Sequence, residues 1–407
     1  MSKRKPPPGW SSSTVGEICR MRNGTGFGPE DWDTNGLPII RIQNLNGGLN
    51  FDYYSGEVDP NWIVEPGQLL FSWAGTRGVS FGPAIWRGPK GVLNQHIFKV
   101  HESIGIDAQW LYWALRHVTN RIEGQAHGFK ATLLHVKKSD IDKQQIFVPP
   151  QAEQRKLASV LAAWEEAITT MEKLLANSKK QKKSLMQRLL TGKRRWHGSS
   201  SVWHECHLKQ IAQRIQRQSD GADYPVLMIS SASGFVRQNQ KYSRFMAGKS
   251  LDDYILLKQG EFAYNKGNSK LYEFGCVFPL ENYSRGLVPH VYVCFALNQQ
   301  CDPSFFKYLF ESDYLHDQLG ALVNTGVRNN GLLNIKPADF MNVRVPVPPL
   351  NEQQAIAHVL DAASEEIAQR ERDLAALREQ KHALMQQLLT GKRRVKLDAS
   401  VAEASAA

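Results

Sequence analysis

Two loops concentrate hydrogen-bond donors, acceptors and aromatic faces. Trp73-Ala74-Gly75-Thr76-Arg77-Gly78 follows a strand-like run, Gln68-Leu69-Leu70-Phe71-Ser72. Tyr264-Asn265-Lys266-Gly267-Asn268-Ser269-Lys270 stands at the corresponding place after Gly260-Glu261-Phe262-Ala263. Asn94-Gln95-His96, Gly128-Phe129-Lys130 and Val327-Arg328-Asn329-Asn330-Gly331 add further polar and aromatic groups. Arg and Lys suit guanine edges and phosphates, while Asn and Gln suit adenine. The candidate contacts are Trp73, Thr76, Arg77, Gln95, His96 and Lys130 in the first half of the chain. In the second half they are Tyr264, Asn265, Lys266, Asn268, Lys270, Arg328 and Asn329. Taken singly, such loops are usually just solvated. As matched loops on two copies of one scaffold in a basic protein, they point to double-stranded DNA.

Other chemistries find little support. Gly24-Thr25-Gly26-Phe27-Gly28 has no buried strand before it and Pro29 after it, so it reads as a loop and not a nucleotide cradle. Gly248-Lys249-Ser250 lacks the earlier glycine of a phosphate loop, because Ser243 holds that place. His204-Glu205-Cys206-His207 in an extended segment would point alternate residues to opposite faces, so no metal site is expected. There is no Gly-x-Ser-x-Gly or His-Glu-x-x-His, and the nuclease-like Glu379-Gln380-Lys381 falls inside a helical segment. A non-catalytic chain is expected.

What must position the loops is an internal repeat. Leu185-Met186-Gln187-Arg188-Leu189-Leu190-Thr191-Gly192-Lys193-Arg194-Arg195 recurs with one change as Leu384 to Arg394. The same spacing pairs Val148-Pro149-Pro150 with Val347-Pro348-Pro349 and Glu153-Gln154 with Glu352-Gln353. Each copy carries a heptad stripe, whose 3.5-residue period keeps one face against a partner helix. In the first copy the stripe holds Leu157, Leu161, Ile168, Leu175, Leu185 and Leu189; in the second, Ile356, Leu360, Ile367, Leu374, Leu384 and Leu388. Lys182 and Lys381 interrupt it at equivalent places, which a thin two-helix seam would allow by snorkelling. Pro pairs start each helix, and Thr-Gly followed by Lys-Arg-Arg ends it, the cations meeting the negative end of the helix dipole.

The remaining segments are globular and of mixed α+β type. Residues 1–148 show strand runs at Leu37–Ile42, Gln68–Trp73 and His96–Val100, then an amphipathic helix from Asp107 to His117. Residues 197–346 repeat that order loosely, with Val288–Val293 matching Asn94–Lys99. The chain is thus a globule (1–148), a helix (149–196), a globule (197–346), a helix (347–395) and a tail (396–407) expected to be disordered. Its 407 residues carry a net charge of +11, compatible with a nucleic acid, an acidic protein or a membrane surface. No apolar run is long enough to span a bilayer, no signal peptide is evident, and five unpaired-looking cysteines fit a reduced cytoplasm.

The paired Pro-Pro–x-x–Glu-Gln helices ending in Leu-Leu-Thr-Gly-Lys-Arg-Arg, alternating with divergent globules, resemble the specificity subunit of type I restriction–modification systems. Leu69-Leu70-Phe71-Ser72–Gly75-Thr76 and Asn94-Gln95-His96 also look like that family's target-recognition domains; the second globule departs at Val288-Pro289-His290. The resemblance implies two target-recognition domains separated by long helices packed as an antiparallel coiled coil with a pseudo-two-fold repeat. It also implies a bipartite DNA site, two docked methyltransferase subunits holding S-adenosylmethionine, and restriction subunits joined through them, with no cofactor on this chain. A coiled-coil adaptor binding two protein ligands is the alternative.

Overall fold

The computed structural model describes residues 5–125, 133–192, 202–241, 253–323 and 333–397. Two long helices dominate it, Gln151–Leu189 and Leu350–Leu389, of 39 and 40 residues. Each begins directly after its Pro pair. Each ends at a glycine with left-handed backbone, Gly192 (φ 67°) and Gly391 (φ 68°), a conformation that costs glycine no side-chain clash.

The chain divides into two compact units, and the division falls inside both helices. The first comprises residues 1–171 and 373–407, the second residues 172–372. Each unit therefore combines one globule with part of both helices, a partition that no linear reading into globules and helices anticipates.

In the first unit, Cys19–Asn23, Ile97–Glu102, Leu69–Ser72 and Gly82–Ile85 form an antiparallel sheet in that order. A second sheet is built from Tyr53–Tyr54, Leu37–Ile40, Gly91–Leu93 and Ile63–Val64. The helix Ala108–Gln125 covers the first sheet, extending beyond the expected end at His117 because Val118 and Ile122 keep its apolar face in the core. The second unit repeats the antiparallel sheet with Ala212–Ile215, Val293–Leu297, Phe262–Asn265 and Cys276–Pro279. The segment Val288–Val293 spans the end of Arg285–Val288 and the start of Val293–Leu297, separated by a turn at Pro289, which has no N–H for a ladder. Pairing of Phe71 with Phe98 and of Tyr264 with Val293 shifts the sequence match by one: Val293 stands where Phe98 does.

The Glu-Gln pairs explain the junctions. Gln154 accepts from the Asp107 N–H at 2.7 Å and donates to the Gly105 and Pro149 carbonyls at 3.2 and 2.9 Å. Gln353 accepts from Asp302 N–H at 2.8 Å and donates to Gln300 and Pro348 at 3.3 and 2.7 Å. Asp107 and Asp302 in turn cap their helices through Trp110 N–H and Phe305 N–H. One buried amide thus fastens the globule's helix to the start of the long helix, once per unit. Glu153 is 2% exposed and accepts from Trp10 Nε1 at 3.0 Å and from both ends of the Arg394 guanidinium at 2.6 and 2.7 Å. Arg394 therefore meets a buried carboxylate. Glu352 receives Trp203 Nε1 in the same way.

The heptad stripes face inward throughout. Every stripe position named above is buried or half-buried, and towards the helix ends neighbours such as Ala158, Leu190, Ala357 and Leu389 are buried with it. In the first unit Glu165 meets Lys381 and Glu153 meets Arg394; in the second, Lys179 meets Glu371. Within the first unit, later residues of one helix pair with earlier ones of the other, so the helices run antiparallel. Lys182 and Lys381 do more than snorkel in a two-helix seam. Their ammonium groups lie 4.9 Å from the ring centres of Tyr308 and Trp113, on the globule helices, in cation–π contact.

His117 is half-buried with no partner on Nδ1, and burial, reinforced by Arg121 and His382, pushes its pKa down to about 4. Unfolded, an imidazole titrates near 6.5, so this contribution to stability is full above about pH 6.5 and is lost as pH falls towards 4. At about 1.4 kcal/mol per pH unit, the first unit should lose up to about 3 kcal/mol across that window. His117→Gln should flatten the dependence when urea midpoints at pH 7 and pH 5 are compared. Gln154→Ala and Gln353→Ala each strand a buried backbone N–H and two carbonyls, costing about 2–3 kcal/mol. Hydrogen-exchange mass spectrometry should show the loss of protection in the mutated unit first; uniform protection would deny the amide this role.

Candidate nucleic-acid interface

In the first unit the Asn23 end of one strand, the Ser72 end of another and the Ile97 start of a third lie at one end of the sheet. Three loops leave from there. Gly24 must be glycine, since a Cβ would stand 2.1 Å from the Leu93 carbonyl oxygen. That close approach lets Gly24 N–H and Thr25 N–H bond Ile97 and Leu93 carbonyls, fastening the Gly-rich loop to the Asn94–His96 turn. The loop is thus a packed structural element, as its sequence indicates.

Trp73 is the centre of this surface. Its Nε1 donates to Asn23 Oδ1 at 3.1 Å and to the Gln95 carbonyl at 3.2 Å. Its ring lies 5.1 Å from that of His96 and 6.1 Å from that of His135. Asn23, Gln95 and His135 are exposed, and Trp73 and His96 half-buried. The five present an aromatic and amide surface able to meet base edges or stack on them. Asn23 and His135 were absent from the sequence-based candidates. No spacing rule marks them, because strand pairing of Leu133–His135 with Ala74–Thr76 is what brings His135 to Trp73.

Thr76 and Arg77 form the adjoining turn. The Thr76 carbonyl accepts from Val79 and Ser80, and Gly78 N–H reaches Glu123 at 2.7 Å. Thr76 is half-buried and holds the turn, whereas Arg77 projects exposed from it. Lys130 lies outside the described residues.

The second unit places its candidates differently. Tyr264 is fully buried, stacked on Phe340 at 4.3 Å, with its hydroxyl donating to the Phe274 carbonyl at 2.7 Å. Burial raises its pKa. It is a core residue, which overturns the expectation of a DNA contact there: the strand is covered on both faces, with Phe262, Ala263 and Tyr264 all fully buried. Lys266 occupies the place of Trp73: its carbonyl accepts from Leu333 N–H at 3.1 Å as that of Trp73 accepts from Val136 N–H at 3.0 Å. Burial and the nearby Arg214 lower the Lys266 pKa. Asn265 caps the following turn through Gly267 N–H, while Asn268 and Lys270 project exposed. Arg328 and Asn329 lie outside the described residues, as does Gly248-Lys249-Ser250.

The His204–His207 strand pairs with Arg344–Val347. There Glu205 meets Arg344, and His207 Nδ1 meets the Asn342 carbonyl at 2.6 Å. Among the described residues no group of three or more His, Cys, Asp or Glu is placed to hold a metal ion. Burial pushes the thiols of Cys19, Cys276 and Cys294 up to about 12, so they are poor nucleophiles. Among the described residues no helix is long and apolar enough to cross a membrane.

Comparison with known proteins gives the family and the fold. The model of the type I restriction modification DNA specificity domain matches residues 7–178 and 212–377. The MjaVIII specificity subunit of Methanocaldococcus jannaschii is 26% identical over 382 residues, covering 88% of this chain and 86% of the relative. The EcoKI specificity subunit of Escherichia coli K12 is 22% identical, with 88% and 82% covered. Among solved structures, the S subunit from M. genitalium superposes with a TM-score of 0.55 at 14% identity, over 97% of this chain and 99% of that one. A chain from a study of complex assembly in the type I R-M system gives 0.58 at 17%, over 95% and 99%. The chain belongs to the family of type I restriction–modification DNA specificity subunits, and it is a non-catalytic member carrying the specificity domain twice.

Proposed function

We propose that this chain reads a bipartite, asymmetric DNA site, one half with each globule, in the major groove. The observation that carries this is the unbroken repeat: helix ends that are almost identical, joined to globules that share a scaffold but differ at the reading loops. Equivalent ends suit two copies of one partner, here methyltransferase subunits carrying S-adenosylmethionine, with restriction subunits joining through them. Unlike loops suit unlike half-sites. The two long helices act as the ruler that sets the unread spacer, and the assembly works in the cytoplasm.

In the first globule the reading surface is Asn23, Trp73, Arg77, Gln95, His96 and His135. In the second it is the Lys266–Lys270 loop. Lys130, Arg328 and Asn329 remain candidates by their sequence context.

Gel-shift titrations of the complex with its methyltransferase should show Arg77→Ala and Lys266→Ala each weakening DNA binding by about 1–3 kcal/mol. Unchanged affinity in both would mean that the wrong loops have been chosen. Methylome sequencing tests the ruler. Four residues added to each long helix lengthen it by about 6 Å, close to two base pairs at roughly 3.4 Å each. The unread spacer should grow accordingly while both half-sites persist; a constant spacer would remove the ruler.

A further inference from the structure

The two long helices differ in charge where they are otherwise repeated. From Lys173 to Arg195 the chain has nine Lys and Arg and no Asp or Glu; from Arg372 to Arg394, the equivalent stretch, it has six and two. Within the first stretch, Lys173, Lys180, Lys183 and Arg188 are all exposed. At about 100° per residue they fall on the face turned away from the stripe, where Leu175, Ser178, Lys182 and Leu185 are buried or half-buried. They extend over about 22 Å of helix. All four belong to the second unit.

These cations differ from an ordinary solvated face. An exposed helix normally sets acids three or four residues from its bases, as Glu366 does for Arg370 on the second long helix. None of the four has an acidic residue at either spacing. Their neighbours Lys179 and Lys182 are already engaged, with Glu371 and Glu311. Among the described residues the outer face thus gathers like charge without relief, a cost that an external polyanion would remove.

Symmetry identifies the kind of partner. A protein bound twice through equivalent surfaces must touch residues common to both copies. The counterparts of Lys173, Lys180, Lys183 and Arg188 are Arg372, Glu379, His382 and Gln387, so only the first position keeps its charge. The strip therefore stands outside any surface repeated for two identical partners. We propose that it is a contact for the phosphate backbone of duplex DNA in the unread spacer, made by the first long helix and not by the second. Such contacts carry no sequence information, and they add affinity that falls with salt.

The proposal rests on the DNA-reading function above, and the test separates the two. The measurement uses the complex of the full chain with its methyltransferase, on a duplex bearing its methylated sequence. A variant with Lys173→Gln, Lys180→Gln, Lys183→Gln and Arg188→Gln should make the slope of log affinity against log salt shallower by about 3 to 4, at roughly 0.9 per phosphate contact. The methylated sequence should stay the same, and Lys→Arg changes at the three lysines should keep the native slope. An unchanged slope with normal assembly overturns the proposal. So does loss of the methyltransferase in native mass spectrometry, which would make the strip a protein-docking face. If the unaltered complex binds no DNA at any salt, it is the reading function itself that fails.

Discussion

The buried Glu-Gln pair is the constraint from which the rest of this structure follows. Gln154 and Gln353 each satisfy a backbone N–H at the cap of a globule helix and two carbonyls of the approaching chain. A buried amide with both ends fully bonded is costly to disrupt, because any shift leaves several polar groups stranded together. The globule is therefore oriented on its long helix by hydrogen bonds as well as by apolar packing. Glu153 adds a charged partner, and its bidentate pairing with Arg394 ties the end of one repeat to the beginning of the other within the first unit.

This also explains why the helix stripes tolerate polar residues. Lys182 and Lys381 would be anomalies in a simple two-stranded seam. Each instead lies over an aromatic ring of the adjacent globule helix and pairs with a carboxylate, Glu311 or Glu165. The two carboxylates come from different elements, one from a globule and one from a long helix. A common cation has thus been kept while its counter-charge moved, as expected when burial of the ammonium fixes the need for a partner but not its origin.

Much of the architecture was legible in the sequence because it depends on repetition and period. The Pro pairs mark the starts of both long helices at Gln151 and Leu350, while the helices stop at Leu189 and Leu389, two or three residues before the terminal glycines and short of the expected bounds at 196 and 395. What failed had a common cause. A strand covered on both faces buries its side chains whatever their type, so Tyr264, a candidate by residue type, belongs to the core. Pairing between segments distant in sequence decides which loops meet, so Asn23 and His135 went unnoticed beside Trp73. The compact units cut across both long helices for a similar reason: contact between repeats has no linear signature.

The correspondence of Trp73 with Lys266 shows how one scaffold accommodates two unlike side chains. At both places the backbone carbonyl accepts the N–H of a residue well down the chain, Val136 or Leu333, although among the described residues only the first unit continues into a strand pair, Ala74–Thr76 with Leu133–His135. The side chain leaving that point is an indole with a ring-face neighbour in one unit and a partly desolvated ammonium in the other. Main-chain hydrogen bonds do not depend on side-chain identity, so the scaffold places no restriction on what stands there. The buried positions are the opposite case: Phe71 and Tyr264, one step inward, must both fill a sheet core, and both are large aromatics. Freedom at the strand end and restriction just behind it allow the side chain at the loop to change without refolding the globule that carries it.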